Sequence, residues 1–201
     1  MEKIEKIRHS LAHLLGASIL ELYPGSKITL GPAISNGFYY DVDVKGKITD
    51  EDLKKIEKKM RELIKNWGTF DRKILSKEEA LEFFKGNEYK EELINEITNK
   101  GEEITIYQSG SFSDLCRGGH VENAQDIPLD AFILDRVAGA YWRGNEKNKM
   151  LTRIYGLAFS TKEELDNYIA QREEAKKRDH KKLGIELDLF TFSDLVGSGL
   201  P

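Results

Sequence analysis

Apolar residues recur at three- and four-residue spacing through Ile4, Ile7, Leu11, Leu14, Leu15 and Leu22, which predicts an amphipathic helix that Pro24-Gly25 brings to an end. Residues 27–34 and 37–44 are instead rich in Ile, Thr, Tyr and Val. They meet at Ser35-Asn36-Gly37, a sequence suited to the positive φ values of a tight turn, and so predict a β-hairpin. Leu53, Ile56, Met60, Leu63 and Ile64 return to the helical period, Ser76-Lys77-Glu78-Glu79 is a capping box opening a third helix, and another helical stretch covers Tyr89 to Ile97. Residues 103–108 alternate as a strand and run into Ser109-Gly110-Ser111, read as a loop entering a site. Strands over about 131–143 and 150–158 flank a polar turn from Gly144 to Lys149. A long helix starts near Ser160 or Thr161, with Glu163 or Glu164 completing its capping box, and runs to about Leu183. Helices and mainly antiparallel strands in clumps, without strict alternation, predict an α+β fold: an antiparallel sheet with helices packed on it.

With 201 residues the chain is long enough for one compact domain and an extension. A 39% hydrophobic and 33% charged composition excludes collagen-like, low-complexity and wholly disordered chains. The longest apolar stretch, Leu11 to Leu22, is broken by His13, Ser18 and Glu21, short of the ~20 apolar residues of a membrane span, and no signal-peptide core follows Met1. The expectation is a cytoplasmic protein with no membrane segment. Net charge is −4, which argues against coating nucleic acid by bulk attraction. The densest basic segment, Arg172 to Lys182, is diluted by Glu173, Glu174 and Asp179 and reads either as a solvated helix face or as a nucleic-acid stripe. The single cysteine, Cys116, excludes an intrachain disulfide, leaving packing, reactivity or ligation as its role.

His9 and His13 are four apart on the first helix, so both imidazoles project from one face. Alone, such a pair is as compatible with packing as with chemistry. Cys116 and His120 repeat the spacing in the glycine-containing segment Asp114-Leu115-Cys116-Arg117-Gly118-Gly119-His120. Only four histidines and one cysteine occur in the chain, and all but His180 fall in these two pairs, which points to a site. Together they supply proton acceptors near neutral pH, a soft nucleophile or ligand, and enough nitrogen and sulfur donors for zinc.

Arg8-His9-Ser10-Leu11-Ala12-His13-Leu14-Leu15 together with Asp114 to Val121 resembles the paired motifs of the editing domain of bacterial-type threonyl-tRNA synthetase, a relative of the alanyl-tRNA editing modules. Gly37 to Asp43, Ala138 to Gly144 and Arg153 to Gly156 are similar to the same family. So is Arg178 to Phe190, which in that family links the editing domain to the aminoacylation domain. The resemblance implies an editing domain over residues 1–159, a linker helix over 160–183, and the start of a truncated aminoacylation domain over 184–201. The sites for ATP and the aminoacylation zinc belong to that missing domain. With eight residues before His9, the small ubiquitin-like domain that often precedes the editing domain in that family is expected to be missing. Gly119 stands where the family usually has proline, and glycine relaxes the φ that proline fixes, so His120 is expected to be held less rigidly.

The resemblance implies hydrolysis of the ester of seryl-tRNA(Thr). Carried over by position, its functional residues are His9, His13, Tyr40, Lys90, Asp114, Cys116 and His120. It further implies His9 and His13 orienting or deprotonating water, His120 and Lys90 near the terminal ribose, Asp114 on the serine amine, and Cys116 shaping the pocket. From the residues alone, Lys90 reads equally as solvated helix surface, Asp114 as a turn cap and Tyr40 as core. Arg117 is a candidate phosphate contact or ordinary surface. Editing is expected to need no cofactor. If zinc is present, its ligands are His9, His13, Cys116 and His120. Expected partners are tRNA(Thr) carrying serine and the rest of the synthetase chain, the full-length protein being a homodimer. The other readings are a free-standing alanyl-tRNA-type editing enzyme, a non-catalytic tRNA-binding appendage and a small zinc-binding structural domain.

Overall fold

A computed structural model describes residues 2–178. One compact unit runs from Met1 to Lys162, and the residues from Glu163 belong to a second unit. The first unit opens with α1 (Lys3–Leu22), whose Leu11, Leu14, Leu15 and Ile19 are wholly buried. It packs between α2 (Leu53–Asn66), through Ile56, Met60 and Ile64, and an antiparallel sheet, and this sandwich is the main core. The sheet has the order β1 (Lys27–Ile28), β3 (Gly37–Asp43), β8 (Met150–Ala158), β7 (Phe132–Tyr141), and β2 (Ala33–Ile34) also pairs with β3. Successive strand residues face opposite sides, so Phe38, Tyr40 and Val42 of β3 enter the core while Tyr39 faces away from it. Arg8 ties α1 to the sheet, its Nε donating to the Ala158 carbonyl at 3.0 Å.

A second, three-stranded antiparallel sheet has the order β4 (Asp71–Leu75), β5 (Ile104–Ser109), β6 (Phe112–Leu115). The helices α3 (Lys77–Phe83) and α4 (Glu88–Asn99) contribute Ala80 and Ile94 to a satellite core with Ile104 and Ile106. The capping box at α3 is formed, with Ser76 N donating to Glu79 Oε2 at 2.8 Å and Glu79 N to Ser76 Oγ at 3.2 Å. The α+β class read from the sequence is the observed one. The final helix, α5 (Lys162–Lys177), is described by itself. The expected continuation to Leu183, the linker motif beyond Arg178 and the aminoacylation-domain start at 184–201 lie outside the described residues. Among the described residues no helix is long and apolar enough to cross a membrane.

Two expectations are corrected. The strand expected over 27–34 is two short strands, because Thr29 and Leu30 both bond Asp41 of β3, a bulge, and Pro32 has no N–H for the ladder. A Cβ on Gly31 would stand 2.3 Å from the Tyr40 ring, so only glycine permits that approach. Ser109-Gly110-Ser111 is not an open loop but the tight turn of the β5–β6 hairpin, with Ser109 paired to Phe112 and Gly110 at φ +57°. Asp114 therefore sits on a strand and not in a loop.

Candidate active site

The sequence places His9 and His13 one turn apart on α1, and the β5–β6 hairpin brings Cys116 and His120 over the same helix face. The four donor atoms lie within 4.8 Å of one another. Cys116 Sγ is 3.4 Å from His9 Nε2 and 3.2 Å from His120 Nε2, and it accepts the Gly118 N–H at 3.2 Å. The three imidazole rings touch: the centroid of His120 is 4.3 Å from both His9 and His13. Phe70 lies flat on His120 at 4.6 Å, and Tyr107 closes on it at 4.9 Å.

A cavity of about 390 Å³ opens on this cluster, walled by His9, His13, Asp114, Cys116, Tyr39 and the bulged Thr29–Ala33 segment. A larger depression, about 440 Å³, lies near Lys27 and Lys85. Both lysines are ion-paired, to Glu88 and Glu82, and no histidine or cysteine lines it.

Behind the wall stands a buried polar group. Lys90 of α4, 1% exposed, forms an ion pair with Asp114 Oδ1 and donates to the Thr29 carbonyl at 2.6 Å. Asp114, 3% exposed, also accepts from Tyr40 Oη at Oδ2 and from Leu115 N at 2.8 Å. Lys90 is thus not solvated helix surface, nor is Asp114 a mere turn cap. Lys90 and Tyr40 do not line the cavity; they grip the carboxylate that does. Arg117 lies at the rim, exposed and paired with Glu102. Sequence reasoning missed Tyr39, which contributes to the cavity wall, and Ser10, fully buried beside His120. Strand alternation separates Tyr39 from Tyr40, whereas nothing in the pattern marks Ser10.

Burial sets the protonation of the site. It pushes His9 and His120 below their ordinary range and His13 well below it, with the neighbouring histidines adding to the effect on His13 and His120. It pushes the Cys116 thiol up to about 12 and the Tyr40 phenol well above its usual value, the latter reinforced by Asp114. The site is therefore built from neutral imidazoles and a neutral thiol. Because the unfolded chain binds protons on His13 and His120 below about pH 6.5 and the folded chain resists doing so, stability is full above that pH and declines below it. Two such histidines give a slope of up to about 2.7 kcal/mol per pH unit. Urea midpoints of chelator-treated protein at pH 7.5, 6.5 and 5.5 test this, and an unchanged midpoint at pH 5.5 would contradict it.

The donor set fits a metal ion. Zinc bonds of about 2.0–2.3 Å in a tetrahedron put ligand atoms roughly 3.3–3.8 Å apart, close to the two sulfur–nitrogen separations here. His9, His13, Cys116 and His120 would hold it, and zinc held by three of them would activate a bound water, whereas held by all four it would be a closed site.

The backbone beside His120 departs from expectation. Gly118 and Gly119 have φ of +103° and +92°, so both are glycines by geometric need, and His120 is fixed by Ser10, Phe70 and Tyr107 and is not loosened by its neighbour. Proline requires φ near −65°. Gly119→Pro is expected to cost more than about 1 kcal/mol of stability and to lower the activity proposed below. A thermal melt with a hydrolysis assay checks this, and a variant at least as stable as the parent would show that the loop has another conformation.

Residues 104–155, which carry Asp114, Cys116 and His120, match the family described as the threonyl and alanyl tRNA synthetase second additional domain. That puts the hairpin half of the site in a class of synthetase accessory domains. Over nearly its whole length the chain is the counterpart of a segment of threonine–tRNA ligases. It is 51% identical over 195 residues to the threonine–tRNA ligase of Borreliella burgdorferi, 97% of this chain and 33% of that protein. Against the ligases of Helicobacter acinonychis and Rubrobacter xylanophilus it is 52% identical over 198 and 201 residues, 98% and 100% of this chain and 32% and 31% of theirs. The chain thus spans about a third of the length of these relatives, and the resemblance read from its motifs is borne out.

Proposed function

We propose that this chain is an editing module acting in the cytoplasm on tRNA(Thr), and that it hydrolyses the ester of seryl-tRNA(Thr). The observation that carries the reading is the convergence of His9, His13 and Cys116 on one cavity, with His120 in contact behind them and a buried carboxylate in the wall. The need for such a site is physical. A pocket that accepts threonine loses only ~1–3 kcal/mol, roughly 10- to 200-fold, when serine lacks the methyl, so a second sieve must remove the error.

His13 lines the cavity and has no protein hydrogen-bond partner among the described residues, which leaves its nitrogens for water. His13, with His9 beside it, takes the proton of the attacking water. The ester C–O bond breaks, and the imidazolium returns that proton to the leaving ribose oxygen, giving serine and free tRNA. Asp114 faces the cavity with lone-pair capacity left on Oδ2 for the substrate ammonium, while Lys90 and Tyr40 hold it in place. Cys116 is a wall and hydrogen-bond relay: its thiol is protonated, and ester hydrolysis needs no acyl-enzyme. We read the reaction as independent of metal, with every step above carried by side chains and water alone.

The test is incubation of concentrated protein with seryl-tRNA(Thr) and threonyl-tRNA(Thr), with and without chelator. Faster loss of the seryl ester, unaffected by chelator, is expected. Equal rates, or none above the uncatalysed reaction, would remove the assignment, and loss of activity with chelator would replace the metal-free chemistry with zinc.

A further inference from the structure

Ser10 lies on α1 between the two reactive histidines and is wholly buried. Its Oγ accepts the Val121 N–H at 3.2 Å and stands 3.1 Å from His120 Nδ1. An amide N–H can only donate, so it occupies a lone pair of the hydroxyl. The hydroxyl proton then needs an acceptor, and among the described residues Nδ1 is the one at hand. Ser18, two turns along the same helix, shows the alternative by donating to the Leu14 carbonyl at 2.7 Å, a bond that Ser10 does not make. A neutral imidazole that accepts at Nδ1 carries its proton on Nε2. His120 Nε2 is the atom 3.2 Å from Cys116 Sγ.

The far end of the chain of contacts follows from this assignment. Cys116 Sγ already receives the Gly118 N–H, so its own proton goes to its remaining neighbour, His9 Nε2 at 3.4 Å. Every donor thus points the same way, from Val121 N–H through Ser10, His120 and Cys116 to His9.

We propose that Ser10 is a positioning residue that fixes the tautomer of His120, making His120 the hydrogen-bond donor to Cys116 and His9 an acceptor. The role this has in catalysis rests on the hydrolytic reading above. His120 Nε2–H donates to Cys116 Sγ and so turns the thiol proton toward His9, which leaves His13 as the histidine of α1 that takes the proton of water. The two kinds of histidine are set apart by the polarity of one hydrogen-bond chain.

The first measurement uses the unaltered chain at neutral pH: long-range nitrogen–proton NMR of ¹⁵N-histidine-labelled protein reads each tautomer directly. His120 is expected as the Nε2–H form and His9 as the Nδ1–H form; a His120 spectrum of the Nδ1–H form overturns the proposal. Because this readout needs no turnover, inactivity toward seryl-tRNA(Thr) would remove the hydrolytic reading and leave the tautomer assignment standing. Ser10→Ala is then expected to release His120 into a mixture of tautomers and lower kcat roughly 10- to 100-fold with KM unchanged, the scale of losing an orienting partner. Ser10→Thr, which keeps the hydroxyl, is expected to restore both. Wild-type tautomer and kcat in Ser10→Ala would overturn the proposal, and if that variant fails to fold the spectrum of the unaltered chain decides.

Discussion

Lys90→Ala is expected to lower the free energy of unfolding by about 3–5 kcal/mol, the range for breaking a buried ion pair from one side. Lys90 and Asp114 are 1% and 3% exposed, so water cannot solvate whichever partner is left. After the substitution Asp114 keeps the Tyr40 hydroxyl and the Leu115 N–H but has no cation, and Thr29 loses the donor to its carbonyl. The carboxylate must then take up a proton or draw water into the wall of the cavity, and either response disturbs the surface against which substrate is read. Lys90→Met combined with Asp114→Asn is expected to recover much of the loss, because no uncompensated charge remains. Urea unfolding of Lys90→Met, Asp114→Asn and the double variant closes the cycle. A Lys90→Ala protein within about 1 kcal/mol of the parent would mean that the pair is not buried in solution.

Lys90 also shows where pattern reading stops. It stands in Glu88-Tyr89-Lys90-Glu91-Glu92, where local composition reads as solvated helix, and only the approach of β6 carrying Asp114 puts it in the interior. The same limit applies to β4: Asp71-Arg72-Lys73-Ile74-Leu75 is a mostly exposed edge strand, so no alternating burial marks it, and its pairing with β5 supplies what its side chains do not. Leu11, Leu14, Leu15 and Ile19 were legible because α1 is buried on the sheet side and the α2 side, and burial writes a strong period. Each half of the site was legible for a similar reason, since His9/His13 and Cys116/His120 have local spacings. Their meeting depends on the register of the β5–β6 hairpin over α1, which no spacing encodes. Gly119 is the clearest reversal: in sequence it reads as loosened proline, and in the fold it is a backbone requirement at φ +92°.

His13→Ala and His120→Ala are each expected to reduce seryl-tRNA(Thr) hydrolysis by at least ~100-fold, the scale of removing a positioned acid, base or donor. The two losses have different origins. His13 is buried, touches His9 at 5.2 Å between ring centroids and lines the cavity, so alanine removes the acceptor for water's proton and leaves a gap beside Phe112. His120 joins Ser10 to Cys116, so alanine breaks the hydrogen-bond chain and frees the face of Phe70. Both changes also remove buried surface, so rates are compared on protein whose circular dichroism and melting show it folded. Cys116→Ser separates chemistry from architecture: a serine hydroxyl can still accept from Gly118 N and His120 Nε2 and donate to His9, so a wall and relay loses little. A nucleophilic or zinc-bound thiolate would lose nearly everything in that variant. If either histidine variant keeps full activity with unchanged tRNA binding, that ring is packing and the proton path runs elsewhere.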